Sequence, residues 1–151
     1  MDQPPFFRTI LVGDNGTPEA ANAVAVAMSL GEKYKAKVIL LGVLVPPSAE
    51  ALAEGYGLTD PAVQREKLEE QLQVTAQAAR GAGVEVVVEI VKGLPEESIE
   101  KRVKQGAIDL VVVGHRKVGR FRSWLEHSTS EGLVRRCPVS VMVVRDSAPT
   151  V

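Results

Sequence analysis

The chain has a single cysteine, Cys137. One cysteine excludes an intrachain disulfide and a metal site built from thiolates alone, and it suits a reducing cytoplasm. Neither sign of charge is in excess, since 18 Lys and Arg against 19 Asp and Glu leave a formal net charge of −1. That balance argues against bulk attraction to nucleic acid or to an anionic membrane, so any basic function has to be local. No apolar stretch approaches the ~20 residues that a bilayer-spanning helix requires. The opening residues, MDQPPFFRTI, lack a positive region followed by an apolar core and do not read as a signal peptide. No G-x-G-x-x-G, H-E-x-x-H or G-x-S-x-G signature occurs either. These absences lead to the expectation of a cytoplasmic protein that does not span a membrane.

What is present is an alternation. The 151 residues, 45% hydrophobic and 25% charged, fit one ordinary globular domain over residues 1–151. Five runs rich in Val, Ile and Leu stand out: Thr9–Val12, Lys37–Val45, Val84–Val91, Leu110–Val113 and Val139–Val144. Most are apolar throughout, as strands covered on both faces are. Between them lie segments with helix signals. Thr17-Pro18-Glu19 opens the first, through Tyr34, and Asp60-Pro61 opens the second, which Gly81 and Gly83 end. The third is Pro95–Lys104, closing at Gly106, and the fourth begins at the capping box Ser128-Thr129-Ser130-Glu131. Strands and helices alternating over such short connections predict an α/β domain with a parallel sheet. Pro46–Asp60 reads as the one long connection, and its Gly55-Tyr56-Gly57 is a candidate flap.

The candidate chemistry is concentrated between Asp109 and Arg145. An apolar run ends at Gly114, a loop with Arg116, Lys117, Arg120 and Arg122 follows, and then comes the Ser128 helix start. A strand that delivers a glycine and cations onto a helix N-terminus can hold a phosphate, because the first backbone N–H groups of a helix lack partners and its dipole is positive there. If the winding reverses after the third strand, the crevice lies between strands 1 and 4. Its walls are then Gly13-Asp14-Asn15-Gly16 and the Gly114 loop. A phosphate loop of the G-x-x-x-x-G-K-[ST] kind is rejected, because Arg120 and Phe121 follow Gly119. Phe121 and Trp124 read as packing the loop down, which argues against single-stranded nucleic acid. The two histidines, His115 and His127, lack convergent companions for a metal. Ser128 reads as a helix cap that is also able to meet a phosphate oxygen, and Asp14 and Asn15 as turn formers or ribose contacts. Cys137-Pro138 reads as a small buried residue and a turn feeding strand 5. No nucleophile paired with a base is specified, so at most slow ATP hydrolysis is expected.

In order and spacing these pieces resemble the universal stress protein family across essentially the whole chain. Arg8–Val12 with Asn15-Gly16-Thr17 is similar to that family's opening strand and turn, and Val38–Val43 to its second strand. Gly93-Leu94-Pro95 is similar to its G-x-P element, and Asp109–Gly114 and Cys137–Val144 to its closing strands. The resemblance implies a three-layer, doubly wound, Rossmann-like fold of the adenine-nucleotide alpha-hydrolase kind. It also implies a five-stranded parallel sheet of order 3-2-1-4-5 and a homodimer through strand 5, Val139–Val144. Its nucleotide-binding members carry G-x2-G-x9-G-[ST]. Here Gly114 and Ser128 match the first and last positions, whereas Lys117 and His127 replace the other two glycines. The implied ligand is ATP, with magnesium, or another adenine nucleotide or phosphate. The implied site residues are Gly13, Asp14, Asn15, Val43, Gly114, Arg116, Lys117, His127, Ser128 and Thr129, with the adenine against Val43. Two readings stay open: a stress-response module with a modified phosphate loop, or a dimeric interaction module whose pocket no longer takes nucleotide.

Overall fold

The computed structural model describes residues 6–14, 18–55, 60–114 and 129–145. In chain order its elements are β1 (Thr9–Asp14), α1 (Pro18–Tyr34), β2 (Lys37–Leu44), α2 (Ala49–Ala53) and α3 (Pro61–Gly81). There follow β3 (Glu85–Lys92), α4 (Pro95–Lys104), β4 (Leu110–Gly114), α5 (Thr129–Arg136) and β5 (Ser140–Val144). The strands form one parallel sheet in the order β3-β2-β1-β4-β5, as the resemblance implies.

Handedness explains the layers. A crossover between parallel strands is right-handed, so a chain that builds outward in one direction keeps its helices on one face. From β1 to β3 the chain builds one way, and α1 and α3 share a face. It then returns to place β4 on the other side of β1, which sends α4 and α5 to the opposite face. Strand residues divide accordingly, because successive side chains point to opposite sides. Ile10, Val12, Val38, Leu40, Leu110 and Val112 pack with Ala23, Val24 and Ala27 of α1 and with Leu72, Ala76 and Ala79 of α3. Leu11, Ile39, Leu41, Val43, Val111 and Val113 pack with Ile99 and Val103 of α4 and with Leu133 of α5. Both faces of the central strands β1, β2 and β4 are covered, and for that reason they read as apolar runs, whereas the edge strand β3 carries Glu89.

Local chemistry sets the helix boundaries. Asp60 Oδ1 accepts from the Ala62 N–H at 2.9 Å and Pro61 takes the first helical position of α3. In α4, Pro95 opens the helix, Glu96 and Glu97 sit in the first turn, and Lys101, Arg102 and Lys104 in the last. Each charge thus opposes the nearer end of the helix dipole. Gly106 follows at φ 92°, a conformation that side chains with a Cβ rarely adopt. Gly42 of β2 serves packing instead. A Cβ there would lie 2.6 Å from Leu72 Cδ1 and 3.0 Å from Leu68 Cδ2, so its absence lets α3 settle onto the sheet.

Three expectations need correction. The Pro46–Asp60 connection contains a short helix, α2, whose N-cap Ser48 accepts from the Ala51 N–H at 3.1 Å. Within the expected flap, Tyr56 and Gly57 lie outside the described residues. Gly13 and Asp14 belong to β1 rather than to a loop after it, because pairing with β2 continues through Gly13↔Leu41 and Asp14↔Gly42. Cys137 is half-buried, against the second apolar cluster, rather than sealed in the core.

Candidate functional site

The two ends of the β1–β4 pair are built differently. At the end where β1 begins, Asp109 closes the seam. Its Oδ2 accepts from the Arg8 and Thr9 N–H groups at 2.9 and 2.8 Å, and its own N–H donates to the Thr9 carbonyl at 2.9 Å. The ladder then runs from Ile10↔Leu110 to Val12↔Val112 and stops. On either side pairing goes further, to Asp14↔Gly42 between β1 and β2 and to Gly114↔Val144 between β4 and β5. Beyond Val12 and Val112, therefore, β1 and β4 each follow their outer neighbour and part from one another. In doubly wound sheets such a parting at the reversal of winding is where ligands enter.

The described residues around this parting have a definite character. Gly13 and Asp14 form the end of β1, Gly114 the end of β4, and Val43 lies near the end of β2, only 9% exposed. Strand alternation puts Gly13 on the α4 side and Asp14 on the α1 side. A Cβ on Gly13 would meet Ile99 Cδ1 at 3.6 Å, so Ile99 lies directly beneath that glycine. Val43, Ile99 and Val113 belong to one apolar cluster and floor this end of the sheet on the α4 side. An apolar floor with glycine backbone at its rim suits the flat face of a planar heterocycle better than it suits an ion.

Of the ten residues expected at the site, Gly13, Asp14, Val43 and Gly114 come together at the carboxyl ends of β1, β2 and β4. Thr129 opens α5. Asn15, Arg116, Lys117, His127 and Ser128 lie outside the described residues. Among the described residues, no group of three or more His, Cys, Asp or Glu side chains converges as a metal site.

Sequence reasoning missed an ionic cluster next to this site. In the sequence, Glu96 is one of two acids in the first turn of α4, a common adjustment to the helix dipole. In the fold its carboxylate reaches the Arg136 guanidinium of α5, which also lies 3.7 Å from Glu100 Oε2. Glu96 and Arg136, with Glu131, Gly132 and Arg135, border a cleft of about 320 Å³ between α4 and α5. The spacing of Glu96, Glu100 and Lys104 along one helix stripe was a readable signal, but its partner on another helix was not.

Comparison with known proteins is consistent with this geometry. The model of the Universal stress protein family matches residues 6–145. A universal stress protein of Thermus aquaticus is 27% identical over 140 residues, which are 93% of this chain and 100% of that protein. The crystal structure of a universal stress protein in complex with cAMP superimposes with a TM-score of 0.71 at 21% identity, over 91% of this chain and 97% of that one. A protein of the same family from Arabidopsis thaliana, with AMP bound, gives a TM-score of 0.65 at 20% identity, over 93% of each chain. At such identities the structural likeness bears on the fold alone.

Proposed function

The chain belongs to the universal stress protein family, and on that premise we propose that it is a single-domain stress-response module that binds an adenine nucleotide where β1 and β4 part. One observation carries this reading: the β1–β4 ladder ends at Val12↔Val112 while both outer ladders continue. A slot results, with glycine at both rims and an apolar floor. In the proposed arrangement the adenine rests against Val43 and the backbone at Gly13, and Asp14 and Asn15 face the ribose. The phosphates meet Gly114, Arg116, Lys117, His127, Ser128 and the Thr129 start of α5. That cAMP and AMP occupy the two relatives compared above supports the ligand class. Among these nucleotides ATP offers the most negative charge for the four cations between Arg116 and Arg122 to meet, a charge that bound magnesium would share. Binding rather than turnover is the proposed activity.

Calorimetry with ATP, AMP and cAMP tests this. A saturable isotherm supports it, and no heat of binding at millimolar ligand overturns it. Lys117→Ala should then weaken ATP about tenfold, as the loss of a charge-assisted contact does, and the difference should shrink as salt rises.

The second reading, an interaction module without nucleotide, draws on Lys117 and His127 standing where binders carry glycine. In both readings the proposed assembly is a homodimer through β5, whose Val141, Met142, Val143 and Val144 are all half-buried. Sedimentation of a Val141→Lys, Val143→Lys double variant should give a folded monomer. Association that survives the change would move the interface elsewhere.

A further inference from the structure

Helix α5 joins the segment that carries Arg116 and Lys117 to β5, so the position of its first turn sets where a phosphate can meet its backbone. Among its described side chains, little apolar surface holds it down. Leu133, 1% exposed, is its buried anchor, whereas Val134 is 59% exposed. Among the described residues a second hold is ionic. Glu96 and Glu100 of α4 lie one turn apart on one face, and the Arg136 guanidinium straddles them, with Nη2 at Glu96 Oε1 and Nε 3.7 Å from Glu100 Oε2. Lys104, a further turn on, reaches Glu100 Oε1 at 3.0 Å and extends the row. Both carboxylates are 18% exposed and the Arg136 side chain 53%, so the row is shielded on its acidic side and open to water on its basic side.

Gly132 makes this geometry possible. A Cβ at that position would run into the Glu96 carboxylate. The end of a glutamate side chain usually swings aside at little cost, but here swinging aside means leaving Arg136.

We propose that Glu96, Glu100, Arg136 and Gly132 form a latch that fixes α5 on α4 and thereby sets the affinity of the adjacent crevice for phosphate. Its members are positioning residues that touch no ligand. The affinity half of the proposal rests on the nucleotide reading above, but the latch itself does not. When a competent arrangement is only fractionally populated, apparent affinity falls by that fraction, so loosening α5 weakens binding without removing a contact.

Hydrogen exchange on the full chain without ligand, followed by ATP titration, tests both halves. In Arg136→Gln, amides of α5 should exchange about fivefold faster or more, while those of β2 keep their wild-type rate. Arg136→Lys should recover part of the loss. Gly132→Ala discriminates most sharply. Helix propensity alone favours alanine and would slow α5 exchange, whereas the latch requires exchange to speed up. Unchanged α5 exchange in Arg136→Gln, slower exchange in Gly132→Ala, or equal acceleration in α5 and β2 would each overturn the latch. With ATP, Arg136→Gln should raise Kd about twofold to fivefold. An unchanged Kd beside faster α5 exchange would overturn the coupling to the crevice. Wild-type protein that ignores ATP would fail the nucleotide reading instead, and the exchange data would still decide the latch.

Discussion

The two helical layers of this molecule are held by different forces. On one face α1 and α3 bury Ala23, Val24, Ala27, Leu72, Ala76 and Ala79 against the sheet. On the other, α4 and α5 bury Ile99, Val103 and Leu133, and ion pairs supply the rest. Among the described residues these are Arg102 with Glu89 and Arg136 with Glu96 and Glu100, while Lys104 with Glu100 lies within α4. Long helices with small apolar side chains make a tight layer that has little freedom to shift. Short helices tied by ion pairs make a layer that can adjust at a cost of a kcal/mol or so. The proposed phosphate end of the site is on the adjustable layer, and the sealed layer is its scaffold.

Substitutions in the two layers should therefore differ in size and in salt dependence. The largest effect is expected at Leu72, fully buried between α3 and the sheet. Leu72→Ala should cost about 3 kcal/mol in chemical denaturation, with all probes moving together. Loss confined to α3 would show that layer to be less cooperative than its packing implies. Gly42→Ala comes next. Its added methyl forces Leu72 and Leu68 aside, and overpacking of this kind costs about 1–3 kcal/mol. A neutral result would mean that the sealed layer does give way. The smallest effect is expected on the ionic face. Arg102 Nε lies 2.8 Å from Glu89 Oε2, with side chains 19% and 32% exposed. Glu89→Gln should cost less than about 1 kcal/mol, and the cost should fall further in high salt. A larger, salt-insensitive loss would remove the distinction between the layers.

Most of the secondary structure was legible because its causes are local. Asp60-Pro61 announces α3, and the acid-first, base-last α4 follows the helix dipole. Helix α2 escaped notice for an equally physical reason: it has five residues and none is buried, so it leaves no apolar periodicity. The end of β1 was misplaced because Gly13 and Asp14 read as turn formers. Pairing with the neighbouring strand, as far as Gly42, keeps them in β1. At the candidate site, Gly13, Asp14, Val43 and Gly114 were identified by position and do gather at one end of the sheet. The reach of Arg136 to Glu96 was not foreseeable, because an arginine in the last turn of a helix already has a sufficient local explanation in the dipole.

By itself, then, the sequence determined the class of the fold, since apolar runs between capped helices leave few alternatives to a covered parallel sheet, and its motifs in order and spacing carried the family resemblance. It also announced the start of α5, because the Ser128-Thr129-Ser130-Glu131 signal lies in consecutive residues. The tertiary structure alone decided where the β1–β4 ladder ends, which layer is apolar and which ionic, and which charges meet across α4 and α5. Those outcomes depend on contacts between residues far apart in the chain, and no local pattern encodes which distant partner a strand edge or a side chain will find.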